Sequence, residues 1–196
     1  MKLKKGLNTE KRIVRAAIKC VGTIGLHQTT FQKIADKSKV SQPLVMHYFK
    51  TRDDIFPKVW EHVYQEAIER TSNNLSLHKN PIDKLKEYIA VSWDQFNSDP
   101  ALTKIYMQLH SLAVFDEKLR SINTQVKRIA IHRIAGIISE GQGQGIFSRN
   151  VNPLQQAKII HIQLSGFILN GISENKDFDY EELLKEFTNS TLAALK

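Results

Sequence analysis

Residues 28–56 read QTTFQKIADKSKVSQPLVMHYFKTRDDIF, a stretch that predicts two short helices joined by a tight turn. Thr29 or Thr30 can cap the first helix, because a threonine hydroxyl accepts a hydrogen bond from a free N–H group of the first turn. The SKVS segment at residues 38–41 interrupts the helical pattern, and Ser41 can cap the second helix. The apolar positions of the two helices are Phe31, Ile34, Ala35, Leu44, Val45 and Tyr48.

Helical periodicity continues on both sides of this stretch. Apolar residues recur at spacings of three and four from about Thr9 to Gly25, which predicts a supporting helix and therefore a helix-turn-helix. Thr51 can cap a long helix that runs to about Asn73. Further helices are predicted at about 82–97, 100–114, 116–140, 153–173 and 178–195. Since no segment alternates like a strand, the sequence predicts an all-α fold in which the helix-turn-helix precedes a larger helical body.

The excess charge of the chain is concentrated at its beginning. The 196 residues carry a formal net charge of +8. Residues 1–54 hold 12 Lys and Arg against 4 Asp and Glu, whereas residues 55–196 hold 16 basic and 16 acidic residues. A basic end on a neutral body is typical of a segment that binds a polyanion, and a merely solvated basic surface is the alternative.

Cysteine content and hydropathy exclude several classes of protein. The single Cys20 cannot form an internal disulfide framework, and its place on the apolar stripe of the first helix predicts a core residue. No uncharged run reaches the roughly 18 apolar residues that a membrane span needs. The basic start is not followed by the apolar segment of a signal peptide, so the sequence predicts a cytoplasmic protein.

The segment from about Thr9 to Phe56 resembles the DNA-binding domain of the TetR family of transcriptional regulators. The matching residues are Ala16-Ala17, Gly25, Thr29-Thr30, Ile34-Ala35, Val40-Ser41, Tyr48-Phe49 and Thr51-Arg52. The resemblance implies a three-helix helix-turn-helix DNA-binding domain over residues 1–54 and a helical effector-binding and dimerisation domain over residues 55–196. It also implies a homodimeric repressor of transcription that binds a palindromic DNA operator and is released by a small-molecule effector.

The helix-turn-helix departs from the family pattern in three places. Lys39 stands in the turn where the family usually has glycine, and a left-handed backbone there would cost on the order of 1 kcal/mol. Pro43 and Leu44 stand where the family often has a small residue followed by threonine. Met46 replaces a tyrosine that in the family often contacts a phosphate. These differences leave the predicted fold intact and change the predicted DNA contacts.

The second short helix is predicted to enter the major groove, which is about 12 Å wide and admits one α-helix. Gln42 is suited to pair with adenine, and His47 to donate or accept a hydrogen bond at a base edge or a phosphate. Leu44 can contact a thymine methyl group or pack inward. Tyr48 can contact the DNA backbone or close the small core, and Lys33 can be a backbone contact or a solvated charge. The predicted DNA-binding residues are Thr30, Lys33, Lys39, Gln42, Pro43, Leu44, His47, Tyr48, Lys50 and Arg52.

The last two helices are predicted to form a dimer interface. The helix that starts at Pro153 is apolar nearly all round, which requires burial on several sides. In the family the corresponding helices form a four-helix bundle between two protomers, and an intramolecular core is the alternative. The predicted interface residues are Ile160, Leu164, Phe167, Ile168, Leu184 and Phe187.

Aromatic residues on the middle helices are candidates for an effector pocket or for ordinary core. They favour an effector with substantial apolar surface, and His110 is the best polar candidate because it shares a segment with Tyr106 and Met107. The predicted ligand-binding residues are Trp60, Tyr64, Trp93, Phe96, Tyr106, Met107, His110 and Phe115.

An enzyme is the main alternative class, and the sequence offers little for it. The sequence lacks GxSxG, HExxH and a Walker A lysine, and no two of its seven histidines are spaced i, i+4. We therefore predict no enzyme activity, no catalytic or metal-binding residue and no cofactor. The second alternative is a helix-turn-helix protein that is controlled by a protein partner or by no ligand at all.

Overall fold

The structure, a computed structural model, describes the backbone of residues 2–173 and 179–196 and the side chains of residues 8–171 and 179–196. This part of the chain contains nine α-helices and no β-strand, which confirms the all-α prediction. The helices are α1 (Lys2–Gln28), α2 (Phe31–Ser38), α3 (Gln42–Tyr48), α4 (Ile55–Leu75), α5 (Pro81–Asn97), α6 (Pro100–Leu112), α7 (Glu117–Gly143), α8 (Pro153–Ser173) and α9 (Tyr180–Ala193). Within the described ranges, no helix combines the length and the hydropathy needed to cross a membrane.

The chain forms two compact units. Unit 1 comprises Met1–Glu66 and Asp99–Thr124, and unit 2 comprises Ala67–Ser98 and Gln125–Lys196. The fully buried aliphatic side chains of unit 1 include Ile13, Ile34, Val45, Ile55, Ile105 and Leu109. Those of unit 2 include Leu85, Ile89, Ile134, Ile138 and Ile160. Cys20 is also buried in unit 1, and this burial raises the pKa of its thiol, which confirms the prediction of a core residue.

Several helices begin at capping residues, and Thr30 is one that the sequence predicts. Thr30 caps α2, and its hydroxyl oxygen accepts a hydrogen bond from the N–H of Lys33 at 3.3 Å. Asp99 caps α6, and its carboxylate accepts from the N–H of Ala101 at 2.8 Å. Helices α5, α6 and α8 begin with proline, which is tolerated there because the first N–H groups of a helix have no partner within the helix.

The start of α4 differs from the prediction. The helix begins at Ile55 and not at Thr51, because Thr51 and Asp54 close a separate turn ahead of it. The N–H and the hydroxyl of Thr51 donate to the same carboxylate oxygen of Asp54, at 2.9 and 2.8 Å. This turn fixes the chain between α3 and α4, where Lys50 and Arg52 lie.

The two terminal helices also differ in length from the prediction. α1 extends back to Lys2, and Gly25 interrupts it with φ 79° and ψ 168°, a conformation that glycine adopts without steric cost. The buried Thr29 then donates its hydroxyl hydrogen to the carbonyl of Gly25 at 2.7 Å, which closes the end of α1. The predicted start of the last helix at residue 178 lies outside the described residues, and α9 begins at Tyr180.

Candidate functional site

Helix α3 is anchored by one face and exposes the other. Val45 is fully buried and Phe49, which follows the helix as its C-cap, is also buried. Pro43 and His47 lie on the opposite side and are exposed, and Gln42 is half-buried at the N-terminal end. Unit 1 therefore holds α3 with its outer face open to solvent along the whole helix.

The turn before α3 has the geometry for which the family usually uses glycine. Lys39 has φ 54° and ψ 47°, and it is the one non-glycine residue with positive φ in the described part of the chain. The N–H of Val40 closes the turn by donating to the carbonyl of Ala35 at 3.1 Å. Arg12 donates to the carbonyl of Lys39 at 3.4 Å, while the side chain of Lys39 is exposed. The backbone is thus held from α1 and α2, and the charged side chain is left for contacts outside the unit.

Ser41 is the N-cap residue of α3, as predicted, but its side chain makes no capping hydrogen bond. Its carbonyl accepts from the N–H groups of Leu44 and Val45 at 3.0 and 3.2 Å. The Leu44 side chain is half-buried, so it lies between the two predicted alternatives of groove contact and core packing. Tyr48 is likewise half-buried and packs against the core, with its ring edge-on to that of His47 at 5.6 Å between centroids.

Two basic side chains converge on the end of α1. Lys33 Nζ donates to the carbonyl of Gln28 at 3.0 Å, and the Arg52 guanidinium donates to the carbonyl of His27 at 3.3 Å. Arg52 also pairs with Asp53 at 3.2 Å, an exposed ion pair of the kind that contributes little free energy. Both cations are therefore positioned by backbone carbonyls and keep donors for an incoming anion.

The carboxylate of Asp54 holds the loop that carries Lys50 and Arg52 in place. Hydrogen bonds from the hydroxyl and the N–H of Thr51 lower the pKa of the Asp54 carboxyl, and Lys118 at 3.8 Å adds to this effect. Asp54 is therefore ionised at neutral pH and occupied by its partners. Lys50 is exposed on the same loop and, with Thr30 and Lys39, completes the exposed part of the predicted DNA-binding set.

The structure brings four of the predicted ligand-binding residues together in unit 1. The Trp60 ring centroid lies 4.3 Å from that of Tyr64 and 5.8 Å from that of Tyr106, and the Tyr106 ring stacks on His110 at 5.3 Å. The buried Trp60 indole donates to the Asn123 side-chain oxygen at 2.5 Å. Burial raises the pKa of both Tyr64 and Tyr106, so their phenols stay protonated at neutral pH. We call this set, which consists of Trp60, Tyr64, Tyr106, His110 and Asn123, the aromatic cluster.

The other four predicted ligand-binding residues lie elsewhere. Trp93 and Phe96 belong to unit 2, where both are buried, and Trp93 packs against Phe167 and Tyr180 at centroid distances of 5.0 and 5.5 Å. Met107 is half-buried on α6. Phe115 is 84% exposed on the turn after α6 and contributes little to the core of unit 1. The eight predicted residues are therefore distributed over both units.

Half of the predicted dimer residues are covered within the single chain. Ile160, Leu164 and Ile168 are buried in unit 2, so they contribute to its core. The other three, Phe167, Leu184 and Phe187, are half-buried. An open groove of about 540 Å³ lies beside them and is lined by Phe167, Asn170, Tyr180, Leu183, Glu186, Phe187 and Ser190.

The predicted interface residues do not include the apolar side chains that the structure exposes. Ile159, Ile162 and Leu169 form an exposed stripe along α8, and Leu183 is exposed on α9. Their spacing of three, seven and ten residues along α8 was a usable signal. The sequence alone could not tell the exposed stripe from the buried stripe of α8, because both follow the same helical period. Met46 on α3 is a second omission, since its side chain is 49% exposed on the outer face of that helix.

A short exposed helix, a closed basic turn and a supporting helix define a helix-turn-helix protein of the DNA-binding class. The family model described as "Bacterial regulatory proteins, tetR family" matches residues 13–59. A second model, "YsiA-like protein, C-terminal region", matches residues 60–194. The two models cover most of the sequence, and the chain belongs to the TetR family.

Individual relatives are distant in sequence. The chain is 23% identical over 118 residues to the HTH-type transcriptional regulator BetI of Burkholderia lata, an alignment that covers 58% of this chain and 61% of BetI. It is 24% identical over 150 residues to the HTH-type transcriptional repressor NicS of Pseudomonas putida, covering 73% of this chain and 68% of NicS. The crystal structure of the regulator FadR from Bacillus subtilis in complex with stearoyl-CoA has the same fold, with a TM-score of 0.78, 18% identity and coverage of 95% of this chain and 99% of that chain.

Proposed function

We propose that the chain is a homodimeric repressor that binds a palindromic DNA operator and is released by a small, partly apolar effector. The observation that carries this proposal is the open outer face of α3, which lies in the basic first quarter of the chain. A helix held in this way fits the major groove, where its N-terminal residues reach base edges. The relative NicS, which is named as a repressor, supports the direction of regulation.

The predicted DNA contacts separate into two kinds. Gln42 and His47 face the bases from the N-terminal end and the outer face of α3, with Pro43 and Leu44 between them. Thr30, Lys33, Lys39, Tyr48, Lys50 and Arg52 contact the phosphate backbone. Backbone contacts fix the register of the protein on the duplex, whereas base contacts select the sequence.

The exposed stripe of α8 supports dimerisation. Ile162 is 67% exposed within the single chain, and Ile159, Leu169 and Leu183 are also exposed. Exposed apolar surface of this extent is typical of an interface, and the half-buried Phe167 and Phe187 extend it along the groove. We propose that a second copy of the chain covers the outer faces of α8 and α9, which revises the predicted interface from the buried to the exposed stripe.

Effector control is proposed for the helical body after the helix-turn-helix, with the domain boundary between residues 54 and 55. The aromatic cluster combines apolar rings with protonated phenols, a combination suited to a mostly apolar ligand with a few polar groups, while the Trp60 indole N–H is already bonded to Asn123. FadR, which has the same fold, was crystallised with stearoyl-CoA, a ligand that joins a long apolar acyl chain to a polar coenzyme A group.

The DNA-binding proposal is tested by selection from a random duplex library with the full chain. The enriched site should contain two related half-sites, and its affinity should fall steeply between low and moderate salt because phosphate contacts release counterions. Gln42→Ala should relax base preference at one position of each half-site. Lys50→Ala should weaken all sequences alike and reduce the salt slope by about 1. Failure to enrich any duplex, or an affinity independent of salt, would exclude this mode of binding.

Effector control is tested separately with the protein bound to its selected site. Stearoyl-CoA and a panel of smaller apolar acids and amines should be added while DNA release and thermal stability are followed. A ligand that raises the melting temperature of the free protein and releases the DNA supports the proposal. If every compound leaves both unchanged, control by a protein partner becomes the better explanation.

A further inference from the structure

Met46 is one of the large apolar side chains that the described part of the chain exposes. It is 49% exposed, although its neighbour Val45 on the same helix is fully buried. No other large apolar side chain of α2 or α3 is exposed to this degree among the described residues. Single exposed apolar side chains are common on protein surfaces, so the significance of Met46 comes from its place on the outer face of α3.

The position of Met46 on α3 identifies the surface that it contacts. Residues three and four apart lie on one face of a helix, so Pro43, Met46 and His47 share the outer face of α3. All three are exposed, whereas Val45 on the inner face is anchored in the core of unit 1. If α3 enters the major groove, Met46 enters with it.

The chemistry of methionine then selects among the groups in the groove. A thioether has no hydrogen to donate, so Met46 cannot make the phosphate contact that the tyrosine of other family members makes. It would also leave the donors and acceptors of guanine, cytosine and adenine without partners. The C5-methyl group of thymine is the apolar group that the major groove displays, and burying it against a side chain is favourable.

We propose that Met46 is a specificity-determining residue that reads a thymine methyl group in each operator half-site. The proposal rests on the proposed DNA-binding function and adds the base that this residue selects. Contact with one methyl group contributes about fourfold in affinity per half-site, the value expected for burial of one carbon.

The test removes the methyl group and nothing else. Each thymine of the selected operator is replaced in turn by deoxyuridine in both half-sites, and the dissociation constant of the full-length protein is measured by fluorescence anisotropy. At one thymine position per half-site, the replacement should weaken binding by about fourfold per half-site. Methylation of a cytosine placed at that position should restore part of the affinity, because 5-methylcytosine carries a methyl group at the same place.

Variants of Met46 separate this contact from a general effect on the helix. Met46→Ala should bind the thymine and deoxyuridine duplexes equally well, and Met46→Leu should still distinguish them because its side chain stays apolar. A thermal melt checks that both variants fold, which the exposure of the side chain leads us to expect. If Met46→Ala retains the full sensitivity to deoxyuridine, or if no thymine in the wild-type operator is sensitive, the proposal is wrong while DNA binding stands. If no duplex is enriched at all, the proposed function itself fails and this inference with it.

Discussion

At Lys39 the backbone and the side chain favour different residues. The left-handed conformation, with φ 54°, favours glycine, and an L-residue there costs about 1 kcal/mol. An exposed positive charge in the turn before α3 favours phosphate binding instead. The Arg12 hydrogen bond to the Lys39 carbonyl helps to hold this conformation whatever the side chain is. Stability and DNA affinity should therefore respond in opposite directions when the lysine is replaced by glycine.

We predict that Lys39→Gly raises the free energy of unfolding by about 0.5–1 kcal/mol, because the removed strain exceeds the extra freedom of glycine in the unfolded chain. The same change should weaken DNA binding and reduce the salt slope by about 1. Lys39→Ala is the matched control, since it loses the same charge but keeps a strained L-residue. Urea unfolding and fluorescence anisotropy measure the two effects. Equal stability of the glycine and alanine variants would show that the turn carries no strain.

Helices α1 and α6 pack closely together at Gly22. A Cβ atom at Gly22 would lie 2.7 Å from the Cβ of Ala101, a distance that real Cβ atoms do not reach. Near the same contact, the Gln108 side-chain oxygen accepts a hydrogen bond from the N–H of Leu26 at 2.7 Å, just after the break at Gly25. The absence of a side chain at Gly22 is thus what lets α6 pack directly on the supporting helix of the helix-turn-helix.

We predict that Gly22→Ala destabilises the protein by about 1–3 kcal/mol, because the added methyl group overpacks the contact with Ala101. Gly136→Ala is the matched control on α7. A Cβ at Gly136 meets no atom within 4 Å, so this change should stabilise the protein by about 0.5–1 kcal/mol through helix propensity. Urea unfolding of both variants gives the comparison. A stabilising effect at both positions would mean that α1 and α6 are not in contact there.

Some helix starts could be predicted from the sequence alone. The start of α2 at Thr30 and of α6 at Asp99 follows from a side-chain oxygen that caps the helix, a signal contained in two or three neighbouring residues. The helix-turn-helix was also predicted from local residues, whereas the left-handed backbone at Lys39 is a finding of the structure. The start of α4 was predicted four residues early, because Thr51 caps a separate turn with Asp54.

Contacts between distant segments could not be predicted in the same way. Trp93 and Tyr106 are separated by 13 positions, yet the break before Pro100 places them in different units and with different ring partners. On α8, Ile160 and Ile162 look equivalent in sequence, but one is buried and the other exposed. Periodicity shows that a helix has two apolar stripes, and only the packing of other helices determines which stripe is covered.

In the proposed dimer, DNA affinity depends on how many copies of α3 bind at once. A single helix-turn-helix contacts one half-site, whereas a dimer contacts two whose spacing is set by the protein. The second contact is then intramolecular, which raises affinity without any new residue at the DNA. Loss of the dimer should therefore abolish the advantage of a palindromic site over a single half-site.

We predict that Ile162→Glu converts the dimer to a monomer at micromolar concentration, because it places a charge in the middle of the apolar stripe of α8. The variant should fold, since Ile162 is 67% exposed within the single chain. It should bind a palindromic operator and a single half-site with nearly equal affinity. Leu77→Glu is the matched control, because Leu77 is 78% exposed in the segment after α4 and lies outside the stripe. Sedimentation equilibrium and anisotropy report mass and affinity, and a dimer that survives Ile162→Glu would place the interface elsewhere on the molecule.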